Sequence, residues 1–337
     1  MSLSRRSSLR LLAAAAGTAA LAPLVACRLA RRRRGGAGPW RVGILQYVQV
    51  SAVDVTREAV LQGLALQGFR VGQNLQLLLR QADGSPARCR SLARELVASD
   101  VDLLVAIGTP ALQAAIGAAS GQLPIVFCYC ANPWGAGAGG SATQHRANVT
   151  GTVTTTAVEE LLRVAQELVP NLRQVGLLYN PAEPNSSFEA ELLAQAVAGR
   201  QLQLLREPVT AVGDVPEAFA QLRQQGVQAL IKVEDYVILQ AFAQLAALAL
   251  EARLPLLAEE PDDAATPGCL AVVGWSSMQD GERAGAMAGE ILRGASPASL
   301  PIQPPGAPGL WLNRGTAGRL GIRLPASLVS RATAVLG

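Results

Sequence analysis

"RVGILQY" runs from Arg41 to Tyr47, and "RQVGLLYN" runs from Arg173 to Asn180. Each is a short apolar run that opens on a Val-Gly pair and ends in polar or aromatic residues. The pairs Val42-Gly43 and Val175-Gly176 stand 133 residues apart. Both copies lead into the same alternation of helix and strand. After Tyr47 come the helix-spaced "SAVDVTREAVLQGLALQGF", the strand "LQLLL" (75–79), a helix in "RSLARELVAS" and the strand "VDLLVAIG" (101–108). A helix in "ALQAAIGAAS" and the strand "LPIVFCYC" (123–130) complete that half. After Asn180 come a helix in "EAELLAQAVAG", the strand "QLQLL", a helix in "PEAFAQLRQQG" and the strand "VQALIKV". The helix "VILQAFAQLAALALEA" and the strands "LPLLA" and "CLAVVG" complete the second half.

These strands are continuous apolar runs rather than alternating ones, so helices must cover both faces of the sheet. The fold class expected is α/β, with two Rossmann-like parallel-sheet lobes. After Gly274 the pattern changes. "DGERAGAMAGEILRG" (280–294) is an amphipathic helix, and a Pro-rich stretch, "LWLN" and a helix-like "PASLVSRATAVL" come after it. A late helix and an extended segment imply that the chain recrosses between the lobes, which makes a hinge with a cleft. The hinge is expected near Gly151–Thr156 and Gly274–Met278.

The chain has 337 residues, enough for two domains, with 50% hydrophobic and 16% charged residues. Its formal charge of +4 is misleading, because residues 1–34 hold eight arginines and no acid. The remainder is acidic, which argues against a nucleic-acid partner. The leader "SRRSSLR", the apolar "LLAAAAGTAALAPLVA" and Cys27 read as an export signal over residues 1–27. Arg5-Arg6 resembles a twin-arginine signal, with general secretory export as the alternative. "LVAC" at Leu24–Cys27 resembles a lipobox that would acylate Cys27 and place the protein, membrane-anchored, on the periplasmic face. Residues 28–40, with "RRRR" and "GGAGP", read as a basic and glycine-rich linker.

Export leaves Cys89, Cys128, Cys130 and Cys269, either in disulfides or as buried free thiols. His145 is the only histidine and no CxxC pair exists, so neither a metal site nor a cofactor is expected. The same scarcity of histidine argues against catalysis. The glycines in "CANPWGAGAGG" precede no helix and do not form a dinucleotide fingerprint.

Ligands of parallel α/β sheets bind beyond the carboxyl ends of the strands. Thr109 is expected there as a helix N-cap, with Pro110 in the first turn and free N–H groups suited to a carboxylate. Asn180 and Asn185 lie on the equivalent turn of the second half, where Ser186 and Glu189 fit a capping box. Glu234 and Asp235 end one strand, and Glu259 and Glu260 end the next. Such an acid would hold an ammonium group, cap a helix or pair with Lys232, the only lysine. Asp235 is the first choice for the ammonium, and its loss is expected to cost little stability. Tyr47, Trp134, Tyr236 and Trp275 would line an aromatic cage.

From Arg41 onward the chain resembles the ABC-transporter substrate-binding protein family that includes the tryptophan- and tyrosine-binding lipoproteins. The resemblance is carried by "VGILQYVQVSAVD", "DLLVAIGTPALQAA", "PIVFCYCANPWGAG", "NVTGTV", "VGLLYNPAEPNS", "GERAGAMAGEILRG" and "NRGTAGRLGIRLP". It implies a type I periplasmic-binding fold with three crossings, and a permease and an ATPase as partners. Lobe 1 would comprise 41–152 plus about 277–305, and lobe 2 would comprise 153–276 plus about 306–337. The family's binding positions fall on Gln46, Tyr47, Thr109, Pro110, Asn132, Pro133, Asn180, Asn185, Ser186 and Asp235, beside Glu234, Glu259 and Trp275 from the residue reading. The chain departs from the family pattern at Asn132-Pro133, where Asp-Pro is common, and at "GWSSM" (274–278). A monomer that binds an amino-acid-like solute is expected. A periplasmic sensor uncoupled from transport and an enzyme on the same fold are the alternatives.

Overall fold

The structure is a computed structural model and describes residues 38–337. The export signal, Cys27 and the basic tract lie outside the described residues.

The first sheet has five parallel strands in the order β2-β1-β3-β4-β5. They are β1 (Trp40–Gln46), β2 (Leu75–Gln81), β3 (Leu103–Ile107), β4 (Ile125–Cys128) and β5 (Val149–Gly151). Helices α1 (Ser51–Leu66), α2 (Pro86–Ala98) and α3 (Thr109–Ala119) connect the first four. Right-handed crossovers put α1 on one face and α2 and α3 on the other, because the path runs outward from β1 to β2 and then back past β1 to β3 and β4. Every residue of β3 and β4 is buried, as their unbroken apolar runs require.

The second sheet has seven strands in the order β12-β11-β10-β9-β8-β6-β7. Its parallel part comprises β6 (Gln174–Tyr179), β7 (Gln203–Pro208), β8 (Ala229–Ile231), β9 (Leu256–Ala258) and β10 (Cys269–Gly274). α4 (Val158–Leu168) and α5 (Pro184–Ala198) pack together on one face, and α6 (Val215–Gln224) and α7 (Tyr236–Glu251) on the other. α8 (Ser277–Leu292) returns to the first lobe and packs along α1. β11 (Gly309–Asn313) then joins the second sheet antiparallel to β10. α9 (Arg314–Leu320), α10 (Ala326–Arg331) and β12 (Ala334–Leu336) close the chain.

The repeated Val-Gly strand is explained by what packs against its glycine. A Cβ on Gly43 would stand 3.1 Å from Leu104 and 3.2 Å from Leu96 of α2. A Cβ on Gly176 would stand 2.9 Å from Leu230 and 3.1 Å from Leu222 of α6. In both lobes the helix that follows the edge strand sinks a leucine onto the strand beside it, and only glycine leaves the room.

Two short strands escape the sequence pattern. β5 is three residues of Val-Thr-Gly on a sheet edge, and it exists because β4 offers it a partner, with Ile125 opposite Val149. β12 replaces the last three residues of the expected closing helix, and Trp311 pairs with Ala334. Tertiary pairing overrides helix propensity there.

The chain passes between sheets at residues 152–157, at Trp275-Ser276 and at 303–308. The first and third passages run side by side, with Val153 N–H donating to Gln303 O at 3.0 Å and Gln303 N–H donating to Gly151 O at 2.9 Å. Among the described residues Cys89, Cys128, Cys130 and Cys269 are buried free thiols.

Candidate functional site

The ends of β8 and β9 lie side by side and carry opposite charges. Lys232, directly after β8, is 2% exposed. Its Nζ meets Glu259 Oε1 at 2.7 Å and Asp263 Oδ2 at 3.0 Å. Burial alone would lower the Lys232 pKa, but Asp263, Glu259 and Glu260 together raise it, so the ammonium stays charged. Lys232 is therefore committed to its own strand ends.

Two residues further on, Glu234 is buried, and its Oε2 lies 3.5 Å from the Thr154 hydroxyl. Its Oε1 has no partner, and neither does Glu259 Oε2. Burial holds the Glu234 carboxyl well above the usual range, and Glu189, Glu259 and Glu260 push it further. Glu260 accepts from Tyr129 OH at 3.0 Å and from the Ser277 hydroxyl at 2.9 Å. Burial raises it to about 8, against the opposing charge of Lys232.

Tyr129 enters from the carboxyl end of β4 with φ 48°, in the left-handed region that non-glycine residues seldom adopt. The Asp280 carboxylate on α8 holds this turn by accepting Tyr129 N–H at 2.8 Å. Trp275 donates its ring N–H to Thr155 O at 2.9 Å. Tyr129, Thr154, Glu234, Glu259, Glu260, Trp275 and Ser277 thus enclose one pocket between the lobes. The space is about 20 Å³, enough for a water molecule and too little for a solute.

Of the residues expected from sequence, this pocket gathers Glu234, Glu259, Glu260 and Trp275. The others lie around it and are engaged elsewhere. Gln46 donates to Val48 O and Asp54 and accepts from Arg57. Tyr47 donates to Gly84 O at 2.6 Å. Pro110 faces a separate hollow beside Pro86 and Ala182. Asn132 Oδ1 accepts from Gly135 N–H, and Asn180 Oδ1 from Ala182 N–H. Asn185 donates to Glu234 O at 3.3 Å.

Asp235 caps α7 by accepting Ile238 N–H at 2.8 Å. Its other oxygen accepts Asn180 N–H and the Ser186 hydroxyl, both at 2.6 Å. Adjacent in sequence, Glu234 turns into the pocket and Asp235 into the helix.

Two capping expectations are corrected. Gly108, with φ 103°, is the cap of α3, and Thr109 lies in the first turn. The Thr109 hydroxyl instead meets Cys130 Sγ and Asn132 N–H, both at 3.4 Å. α5 starts at Pro184, so Ser186 and Glu189 sit inside the helix and form no capping box. Glu189 instead accepts Thr156 N–H at the first crossing, at 2.9 Å.

The four expected aromatics do not form one cage. Tyr47 and Tyr236 pack together at 5.1 Å between ring centroids, while Trp134 is 36% exposed. The sequence did not single out Tyr129, Thr154 or Ser277. Tyr129 comes directly after a strand end and was within reach of that rule, whereas Thr154 and Ser277 fall in stretches expected only as hinges, where nothing local marks a side chain that faces the pocket.

Two α/β lobes closed over an interior pocket, with three chain passages between them, define a protein that traps a solute in a cleft. The chain belongs to the ABC transporter substrate binding protein family, whose model matches residues 41–336. This is a family of non-enzymatic binding proteins. A tyrosine-binding protein of Clostridioides difficile (strain R20291) is 26% identical over 261 residues, 77% of this chain and 75% of that protein. The crystal structure of a conserved domain protein from Vibrio cholerae is 30% identical. It covers 88% of this chain and 99% of its own, with a TM-score of 0.84. An ABC domain from Streptococcus pneumoniae in complex with L-Trp is similar at 24% identity, over 89% of this chain and 100% of its own, with a TM-score of 0.83.

Proposed function

We propose that this chain is the extracytoplasmic solute-binding component of an ABC importer, tethered through Cys27, and that it captures a small ammonium-bearing solute between its lobes. The observation that carries the reading is the pair of unpartnered carboxylate oxygens, Glu234 Oε1 and Glu259 Oε2, on a buried pocket beside Trp275 and Tyr129. An ammonium group supplies what those oxygens lack, and the aromatic rings add cation–π attraction. Amino acids are the first class to test, because related proteins carry names that speak of tyrosine and L-Trp.

The lobes are read as 41–152 with about 277–305, and 153–276 with about 306–337. The packing of α8 along α1 and the addition of β11 to β10 support this division. A permease and an ATPase are the partners, and the binding protein acts as a monomer.

The test is native mass spectrometry of the freshly purified protein, followed by a thermal-shift panel of the twenty amino acids, simple amines, sugars and purines. A ligand at about 100 times its Kd stabilises by about 2.7 kcal/mol, which such a panel resolves. A shift from a sugar or purine, with none from any ammonium compound, overturns the reading.

A further inference from the structure

The pocket's hydrogen-bonding groups are unevenly committed. It has four side-chain donors, and each already faces an acceptor of the protein. Tyr129 and Ser277 donate to Glu260, Thr154 faces Glu234, and Trp275 donates to Thr155 O. What remains unpartnered is two carboxyl oxygens, Glu234 Oε1 and Glu259 Oε2, on side chains 3% and 8% exposed. No arginine, lysine or histidine lines the space.

The position that would have received a carboxylate, the start of α3, is covered from the opposite lobe. Tyr236 opens α7 of the second lobe, yet it is buried in the first lobe's core against Tyr47. A Cβ on Gly108 would lie 2.5 Å from Tyr236 Oη. The Tyr236 ring thus occupies the approach to the α3 amides when the lobes are closed.

Resting on the ammonium reading, we infer that the site selects organic amines that carry no carboxylate, in preference to the corresponding amino acids. An amine brings donors only, which the two free oxygens accept. An amino acid also brings an anion, for which the closed pocket is lined by no cationic side chain. A metal ion is a poorer occupant, since among the described residues no group of three or more His, Cys, Asp or Glu is arranged to hold one. The high carboxyl pKa values of Glu234 and Glu260 agree with a site that awaits a cation.

Matched pairs test the inference on the wild-type protein by calorimetry and thermal shift: tryptophan with tryptamine, tyrosine with tyramine, and ornithine with putrescine. In at least one pair the amine binds at least about 10-fold more tightly than its amino acid. Glu234→Gln weakens that amine by about 10-fold or more, and Tyr236→Ala narrows the gap within the pair by uncovering the α3 amides. Should a variant fail to fold, the wild-type pairs still decide. An amino acid that binds as tightly as its amine in every pair overturns the inference while leaving the ammonium reading standing. No binding of any amine, or a shift from calcium or manganese chloride alone, overturns it as well. A sugar or purine as the only ligand removes both readings.

Discussion

The Tyr129 hydroxyl of the first lobe donates to Glu260 Oε2 of the second at 3.0 Å, and Ser277, at the second crossing, donates to the other oxygen of the same carboxylate at 2.9 Å. One buried acid therefore ties Tyr129 of the first lobe to the start of α8, beside the second crossing. A further contact spans the lobes at the surface, from the Ser51 hydroxyl to Asp262 at 3.3 Å. The closed arrangement rests on these directed bonds and on the packing of Tyr236 against Tyr47.

Tyr129→Phe removes the hydroxyl and leaves a Glu260 oxygen unsatisfied. A hydrogen bond to such a group is worth about 1.5–3 kcal/mol when charged and about 1 when neutral. The ligand-free variant shifts toward the open form, and small-angle scattering reads a larger radius of gyration than for wild type. Saturating ligand restores the closed value. An unchanged radius in the variant would show that Tyr129 does not hold the lobes together.

Stability falls as pH rises. Burial lifts Glu183, Glu189 and Glu260 to about 8 and Asp263 to about 6. Unfolded, these groups ionise near about 4. Between those values the folded protein binds more protons than the unfolded chain, so the stabilisation is complete below about pH 4 and is lost as pH passes through about 6 to 8. Lys232 stays charged in both states over that window and adds no slope. The ligand-free Tm should decline from pH 5 to 8.5, and Glu260→Gln should flatten the decline. A Tm that climbs over the same range would mean that these acids are ionised and paired in the folded state.

Lys232→Met strands Glu259 and Asp263 without their buried counter-charge. Removing one partner of a buried ion pair costs about 3–5 kcal/mol. Urea unfolding should show a loss of that size with an unchanged m-value. A variant within about 1 kcal/mol of wild type would indicate that the two acids simply take up protons.

Asp235→Ala and Glu234→Gln should separate folding from binding. Asp235 is fully buried, caps α7 and also serves Asn180 and Ser186. The cap is worth about 1 kcal/mol and each orphaned donor about 1–3 more. Its loss should therefore be costly to the ligand-free protein, contrary to the expectation from its place at a strand end. Glu234→Gln should leave the Tm within about 2 °C, because an isosteric amide replaces a carboxyl with one free oxygen. The two melting curves, side by side, decide which acid belongs to the helix.

The sequence by itself determined the doubled α/β architecture. Continuous apolar strands separated by helix-spaced segments are a local signal, and the Val-Gly copies at Val42 and Val175 mark equivalent strands, each second from an edge of its sheet. The late helix and the return of the chain after Gly274 were equally readable, because their apolar spacing does not depend on a partner. The short strands β5 and β12 were not readable, since their pairing comes from a neighbour already in place.

Only the tertiary structure decided the site. Tyr129 and Glu260 meet across 131 residues, a distance at which no spacing rule operates. Glu234 and Asp235 are neighbours of like charge, and nothing local tells them apart. What separates them is the residue at which α7 begins: the acid at the cap must satisfy helix N–H groups, and the acid one place earlier is left facing the cleft. Tyr236 shows the same dependence, because a residue that opens a helix of one lobe completes the core of the other only when the two halves are brought together.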